Sequence, residues 1–420
     1  MIVDASGFEG WAERKVAPRS EAELPFGEAI TLVGGNTGVT GGGVPQGGTL
    51  VSLEHFSKLE VYGGYACVGA GVLLKDLQAA AARTGQFYPP DPTETWASVG
   101  GTIATNASGS RGFKYGSTRR WIRSLRVATM DGQVKTFHRG DAIGFEVPAL
   151  PVPRTTKTTA GYPLQPGMDW IDLFAGSEGT LGIVLEAELT LLPQPKDLLT
   201  GVVFFPGEPP VDWRGMEGLR MLEYFDSHSL RLLKAPGHSA LLVEQENPDL
   251  DAWDLTDAVD SWFGTEAKDR ERFRRFRHEL PERVNEEVRR LGMKKIGSDF
   301  AVPVDRNAEM MQIYRARCER EFPGRYVIFG HYGDAHLHVN LFDSSGLALM
   351  REFAKAAVAM GGTVSAEHGL GKRKRDLLAL QFNPAEIQAM RDVKSRLDPQ
   401  WLLGRGTLFE PPASLAKFIS

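Results

Sequence analysis

Two short stretches of the 420-residue chain concentrate side chains able to hold a metal and move a proton. In RYVIFGHYGDAHLHVNLF, residues 325–342, His331 closes one β-rich run, a Gly-Asp turn follows, and His336 and His338 stand in the next run. Alternation at period two puts His336 and His338 on one face, and the tight connection can bring His331 beside them. In GGTVSAEHGLGKRKR, residues 361–375, Glu367 and His368 are adjacent in a glycine-flanked loop. Neutral imidazoles with a carboxylate form a donor set that borderline divalent metals prefer, and an open fourth position accepts a substrate oxygen. Taken singly, each histidine reads as core or surface; their clustering marks a site.

Three glycine-rich blocks precede these stretches. LVGGNTGVTGGGVP, residues 32–45, lets backbone N–H groups converge without side chains in the way, as loops that cradle phosphate oxygens require. It is neither a Lys-bearing P-loop nor a G-x-G-x-x-G turn leading straight into a helix. YPPDPTETWASVGGTIATNASGSRGFKYG, residues 88–116, supplies small and hydroxyl side chains that can lie against a planar ligand. LFAGSEGTLGIVLEAELTLLP, residues 173–193, sets a tight turn before a strand. A structural turn explains any one block; three suggest one extended cofactor touched at several points.

The elements that must position these groups follow from pattern. Residues 28–195 alternate short β-rich runs with glycine-rich turns and one Ala-rich helix, LLKDLQAAAARTG. The two prolines of LLPQPKD, residues 191–197, read as a boundary. Beyond it, strands such as SALLVEQE alternate with charged helix candidates over 252–291 and 344–361, and the tail reads as helix up to Pro399 before returning to the first unit. Only Cys67 and Cys318 occur, too few for a disulfide framework and without zinc-ligand spacing, so both read as buried thiols. A net charge of -5 carries no nucleic-acid footprint, and KRKR at 372–375 alone reads as solvated surface. No apolar run approaches the roughly 18 residues of a membrane span. Asp4, Glu9 and Glu13 argue against a signal segment, so the expected compartment is the cytoplasm.

In order, the three glycine blocks resemble the flavin domain of the vanillyl-alcohol oxidase (PCMH-type) FAD superfamily, in the branch of D-lactate, D-2-hydroxyglutarate and glycolate dehydrogenases. The resemblance implies an α+β fold. It places a PCMH-type FAD-binding domain at 1–195 and a cap (substrate) domain at 196–390, with an antiparallel sheet flanked by helices and the metal site. A segment at 391–420 returns to the FAD domain. By that similarity, Gly34, Gly35, Asn36, Thr37 and Gly38 hold the FAD pyrophosphate. Pro90, Asp91, Ser98, Gly101, Thr105 and Asn106, with Glu178, Gly179 and Ile183, surround its ring systems. No His or Cys occupies the glycine loop, so FAD is expected to be noncovalent.

The same resemblance assigns His331, His338 and Glu367 to a divalent metal, zinc or manganese, and His368 to the catalytic base. Arg277 matches an arginine for the substrate carboxylate, against the alternative of one more charge on a solvated helix, and Asn340 matches a pocket-side polar residue. His336 stands where the family usually has Asn, Gly404 and Thr407 replace an Asn and a Lys of its C-terminal turn, and the segment before the glycine loop is short. The implied reaction is oxidation of a D-2-hydroxy acid to the 2-oxo acid, with hydride passing to flavin N5. One alternative is a flavin-binding subunit without turnover of its own, which would be expected to lose the His cluster. Another is a zinc hydrolase, which leaves the glycine blocks unexplained. The electron acceptor is unidentified; a homodimer, and peripheral membrane association through that acceptor, stay open.

Overall fold

The structure, a computed structural model, describes residues 1–412. Its first sheet is small and parallel. Strands β1 (Arg14–Val16), β2 (Ile30–Val33) and β3 (Thr49–Ser52) lie in the order β1-β3-β2, and residues 34–48 form the crossover between β2 and β3. Late residues return to its edge: Ile30 pairs in parallel with Leu403, donating its N–H to Leu402 and accepting from the N–H of Gly404.

The second sheet is antiparallel, built from β4 (Leu59–Tyr62), β5 (Tyr65–Gly69), β6 (Ile122–Ala128), β7 (Val134–His138) and β8 (Ile183–Thr190) in the order β7-β6-β8-β5-β4. Helix α1 (Leu74–Ala82) buries Leu74, Leu77, Ala80 and Ala81, the one-sided spacing of an amphipathic helix. Helix α2 (Val99–Thr105) is capped by the Ser98 hydroxyl, which accepts from Gly101 N–H, and ends at Asn106 in the left-handed conformation. Between β7 and β8 a long connection crosses the molecule. Arg154 and Thr159 donate their backbone N–H groups to Gly361 and Ser365, and the crossing delivers Lys157 to the interior.

The third sheet holds seven strands: β9 (Leu198–Phe205), β10 (Leu219–Phe225), β11 (Ser239–Glu246), β12 (Asp260–Gly264), β13 (Ile296–Gly297), β14 (Tyr326–His331) and β15 (His336–Leu341). Their order is β12-β9-β11-β10-β14-β15-β13, antiparallel throughout. Strands β9 and β10 are buried at every position because both faces are covered. Val203 and Phe205 join one core, while Val202 and Phe204 pack on Phe273, Leu280, Val284 and Val288 of helix α3 (Ala267–Arg290). Three further long helices follow, α4 (Asn307–Glu321), α5 (Leu347–Ala359) and α6 (Pro384–Leu397).

Two expected helices are shorter than read from sequence. The span 252–291 contains β12, whose Trp262 pairs with Val202 of β9, so cross-strand packing of an aromatic run overrides the charged helical pattern. Helix begins only at Ala267, after a capping box of Glu266 and Asp269. The span 344–361 opens with a 3-10 turn, Ser344–Gly346, before α5. Of the two thiols expected to be buried, Cys318 is buried and Cys67 only half-buried. No helix among the described residues is long and apolar enough to cross a membrane.

Candidate active site

A cavity of about 350 Å³ lies between the glycine loops and the seven-stranded sheet. Gly34, Gly35, Asn36, Thr37 and Gly38 line one side, with Ser98, Gly101 and Thr105 of α2 beside them. Glu178 and Gly179 reach it from the turn before β8, and Gly404 from the returning tail. His331, His338, Glu367 and His368 line the same cavity. Pro90, Asp91, Asn106 and Ile183 lie outside its lining. Asp91 pairs with Arg111, Asn106 Oδ1 accepts from Arg119 N–H, and Ile183 packs in a core.

The glycines of the loop have two different reasons. A Cβ on Gly35 would sit 2.2 Å from the Trp96 carbonyl oxygen, so the protein's own packing demands glycine there. A Cβ on Gly38 would meet no protein atom within 4 Å, although this residue also faces the cavity. Gly38 is exposed toward the cavity, so the protein's own packing does not demand glycine there. The loop is braced from below. Asp4 Oδ2 accepts from Gly41 N–H at 2.8 Å, and Lys372 Nζ donates to the carbonyls of Gly41 and Gly42 at 3.3 and 3.1 Å. Lys372 is therefore a buried strut; KRKR is not simply a solvated run.

Opposite the loop, the β14–β15 hairpin presents its histidines on one face. His331 pairs in register with His336, and the rings of His336 and His338 lie 4.5 Å apart between centroids. The Glu367 carboxylate closes the group: one donor atom from each of His331, His336, His338 and Glu367 lies within 4.8 Å of all the others. Burial, with the neighbouring imidazoles, keeps His338 well below its ordinary pKa, and burial lowers His336 as well. Burial alone would lower His331 too, but the carboxylates of Glu223 and Glu367 outweigh it and raise the group to about 9. Imidazole donors with one carboxylate match the requirements of a divalent metal.

Residues not evident in the sequence hold these groups in place. Glu223, on β10, accepts from His331 Nδ1 at 2.6 Å and from Arg277 Nε at 2.9 Å. Burial would raise its carboxyl, but Arg277 and His331 hold it far below the usual range. Arg277 is thus half-buried against the site and not on a fully solvated face; it lies outside the cavity lining itself, but its Nη1 donates to Thr93, which lines the cavity. Glu367 Oε1 accepts from Ser108 Oγ at 2.7 Å, Gly109 N–H at 2.9 Å and Lys157 Nζ at 2.5 Å, leaving Oε2 facing His331 Nε2 at 3.1 Å. Lys157 is fully enclosed; burial works against its charge, and Asp334 and Glu367 restore it. Asp299 Oδ2 accepts from Ser365 Oγ and the His368 N–H, while Oδ1 stands 3.2 Å from His368 Nδ1 and 3.1 Å from His336 Nε2. Asn340 continues the hairpin face but lies by Gly297, outside the cavity lining.

Comparison with known proteins identifies the family of the two parts of the chain. Residues 22–138 match the FAD binding domain family, and residues 214–408 match the family described as FAD linked oxidases, C-terminal domain. The chain is 30% identical to a D-lactate dehydrogenase of Archaeoglobus fulgidus, over 90% of this chain and 85% of that one. It is also 30% identical to a D-2-hydroxyglutarate dehydrogenase of Xanthomonas citri pv. viticola, over 91% and 84%. With the glycolate oxidase subunit GlcD of Bacillus subtilis it shares 26% identity over 97% and 91%. Among solved structures, an alkyldihydroxyacetonephosphate synthase superposes with a TM-score of 0.65 at 15% identity, covering 93% of this chain and 75% of that one, a likeness of fold.

Proposed function

The chain belongs to the FAD-linked oxidases and is an FAD-dependent oxidoreductase acting on CH–OH groups, and from that premise we propose that it oxidises a D-2-hydroxy acid of the lactate, glycolate or 2-hydroxyglutarate type to the 2-oxo acid. The observation that carries the reading is the shared cavity: the glycine loop, the His–Glu cluster and His368 face one space. Gly34, Gly35, Asn36, Thr37 and Gly38, with Ser98, Gly101, Thr105, Glu178 and Gly179, would hold FAD, and His331, His338 and Glu367 would hold the metal. When bound, FAD supplies a two-electron acceptor and the metal a Lewis acid for the substrate oxygens.

His368 removes the hydroxyl proton in this reading. Asp299 Oδ1 stands 3.2 Å from its Nδ1, a contact that favours the proton on that nitrogen and leaves Nε2 to face the substrate. Arg277, with Nε and one Nη1 hydrogen committed to Glu223 and Thr93, keeps its other η hydrogens for the substrate carboxylate. Lys157, Ser108 and Gly109 fix one oxygen of Glu367 and so aim the other.

Anaerobic rapid mixing of the flavoprotein with a panel of D-2-hydroxy acids tests the proposal. One of them should bleach the flavin, and His368→Ala should slow that bleaching by roughly 10²–10⁴ while flavin and metal content stay unchanged. Reduction within a few-fold of the parent rate would remove His368 from the role of base.

A further inference from the structure

His336 is the one member of the four-residue cluster that the reaction above does not use. It is fully buried, and neither ring nitrogen makes a hydrogen bond among the described residues. Asp299 Oδ1 lies 3.1 Å from its Nε2 but off the line of a hydrogen bond, and that oxygen likewise has no bonded partner. Leaving a buried polar ring unsatisfied costs about 1–3 kcal/mol, so a fold that keeps one here has another partner for it. The hairpin supplies the direction. His336 stands across from His331 with ring centroids 5.2 Å apart, beside His338 on the same face, and its donor atom falls within the same 4.8 Å group as Glu367.

We propose that His336 is a fourth protein ligand, making the cluster a three-histidine, one-glutamate site; the inference rests on the metal-assisted reading above. Asp299 Oδ1 then stands beside two imidazoles at once, 3.1 Å from His336 Nε2 and 3.2 Å from His368 Nδ1. Four protein donors would fill the positions of a four-coordinate zinc site. A substrate oxygen would then need an ion that accepts more than four ligands, as manganese(II) does.

Manganese(II) added to the purified flavoprotein is the probe. Loss of the free-ion electron paramagnetic resonance signal measures affinity, and pulsed resonance counts coordinated imidazole nitrogens. The expected count is three in the parent and two in His336→Asn, with binding about tenfold or more weaker in the variant. A count of two in the parent overturns the fourth ligand and leaves His331, His338 and Glu367 as the metal site. No coordinated imidazole, or affinity indifferent to His331→Ala, overturns both readings. Should the variant not fold, the count in the parent decides alone.

Discussion

Glu223→Gln keeps the shape of a buried side chain and removes its charge, which makes it a sensitive test of how the site is held. The carboxylate accepts from His331 Nδ1 at 2.6 Å and from Arg277 Nε at 2.9 Å, and its side chain is 2% exposed, so solvent screens neither contact. The glutamine can accept through one atom only. Its amide NH₂ must then face either the arginine or the His331 N–H, donor against donor. Breaking a buried ion pair by removing one partner costs about 3–5 kcal/mol, and loss of the carboxylate behind a metal-ligating histidine typically weakens metal binding about 10–100-fold. Glu223→Gln should therefore lower the unfolding free energy of the metal-free protein by about 3 kcal/mol and metal affinity by at least about tenfold. Denaturant titration measures the first and competition with a metal chelator the second. The decisive measurement adds Arg277→Met. If Glu223 joins the arginine to the histidine, Arg277→Met costs less on the Glu223→Gln background than alone, with a coupling of about 1–3 kcal/mol. Additive losses, or metal affinity within twofold of the parent, would refute the bridging role.

The glycine loop and the turn before β8 provide two further tests. Gly38→Val should leave the apoprotein's stability within about 0.5 kcal/mol of the parent, because a Cβ there meets no protein atom, yet abolish FAD retention; a folded variant that purifies with stoichiometric flavin would take the loop out of the site. Burial raises the Glu178 carboxyl to about 7 from 4.5, against the pull of the Leu370 and Gly371 N–H groups. The native state then holds this proton when the unfolded chain has lost it, so stability falls as pH rises from 4.5 to about 7, by about 3 kcal/mol in all. Glu178→Gln should flatten that fall in unfolding measurements of the apoprotein, whatever its constant offset. Parallel pH curves for parent and variant would refute it.

What the sequence shows and what it hides divide by range. His331, His336 and His338 are legible because alternation and a four-residue turn are local rules, and β14 and β15 follow them. The glycine blocks are legible because small residues near a cavity leave a dense compositional mark. Glu223 is not, since it is one carboxylate in LRMLEYF, a strand buried at every position, and its partner His331 is 108 residues away. Lys157 stands in an aperiodic connection, and its contact with Glu367 spans 210 positions. Charge in KRKR predicts solvent, yet Lys372 points inward because the carbonyls of Gly41 and Gly42 need a donor there. In each case the missing information is which distant element lies alongside, and no local period encodes that.

The tail that returns to the first sheet constrains how this protein can be made. Ile30 waits for Leu402, Leu403 and Gly404, and the glycine loop waits for Lys372, whose N–H also binds the Thr40 carbonyl. On the ribosome, amino-terminal elements ordinarily settle as they emerge, at about 5–20 residues per second. Here the edge of the first sheet and the brace of its glycine loop wait for residues more than 300 positions later, Lys372 and Leu402 to Gly404. A nascent chain stalled short of residue 400 would expose the edge of β2 to any strand nearby. The site for the cofactor is thus finished from both ends of the sequence, and its glycine loop is complete only in the folded whole.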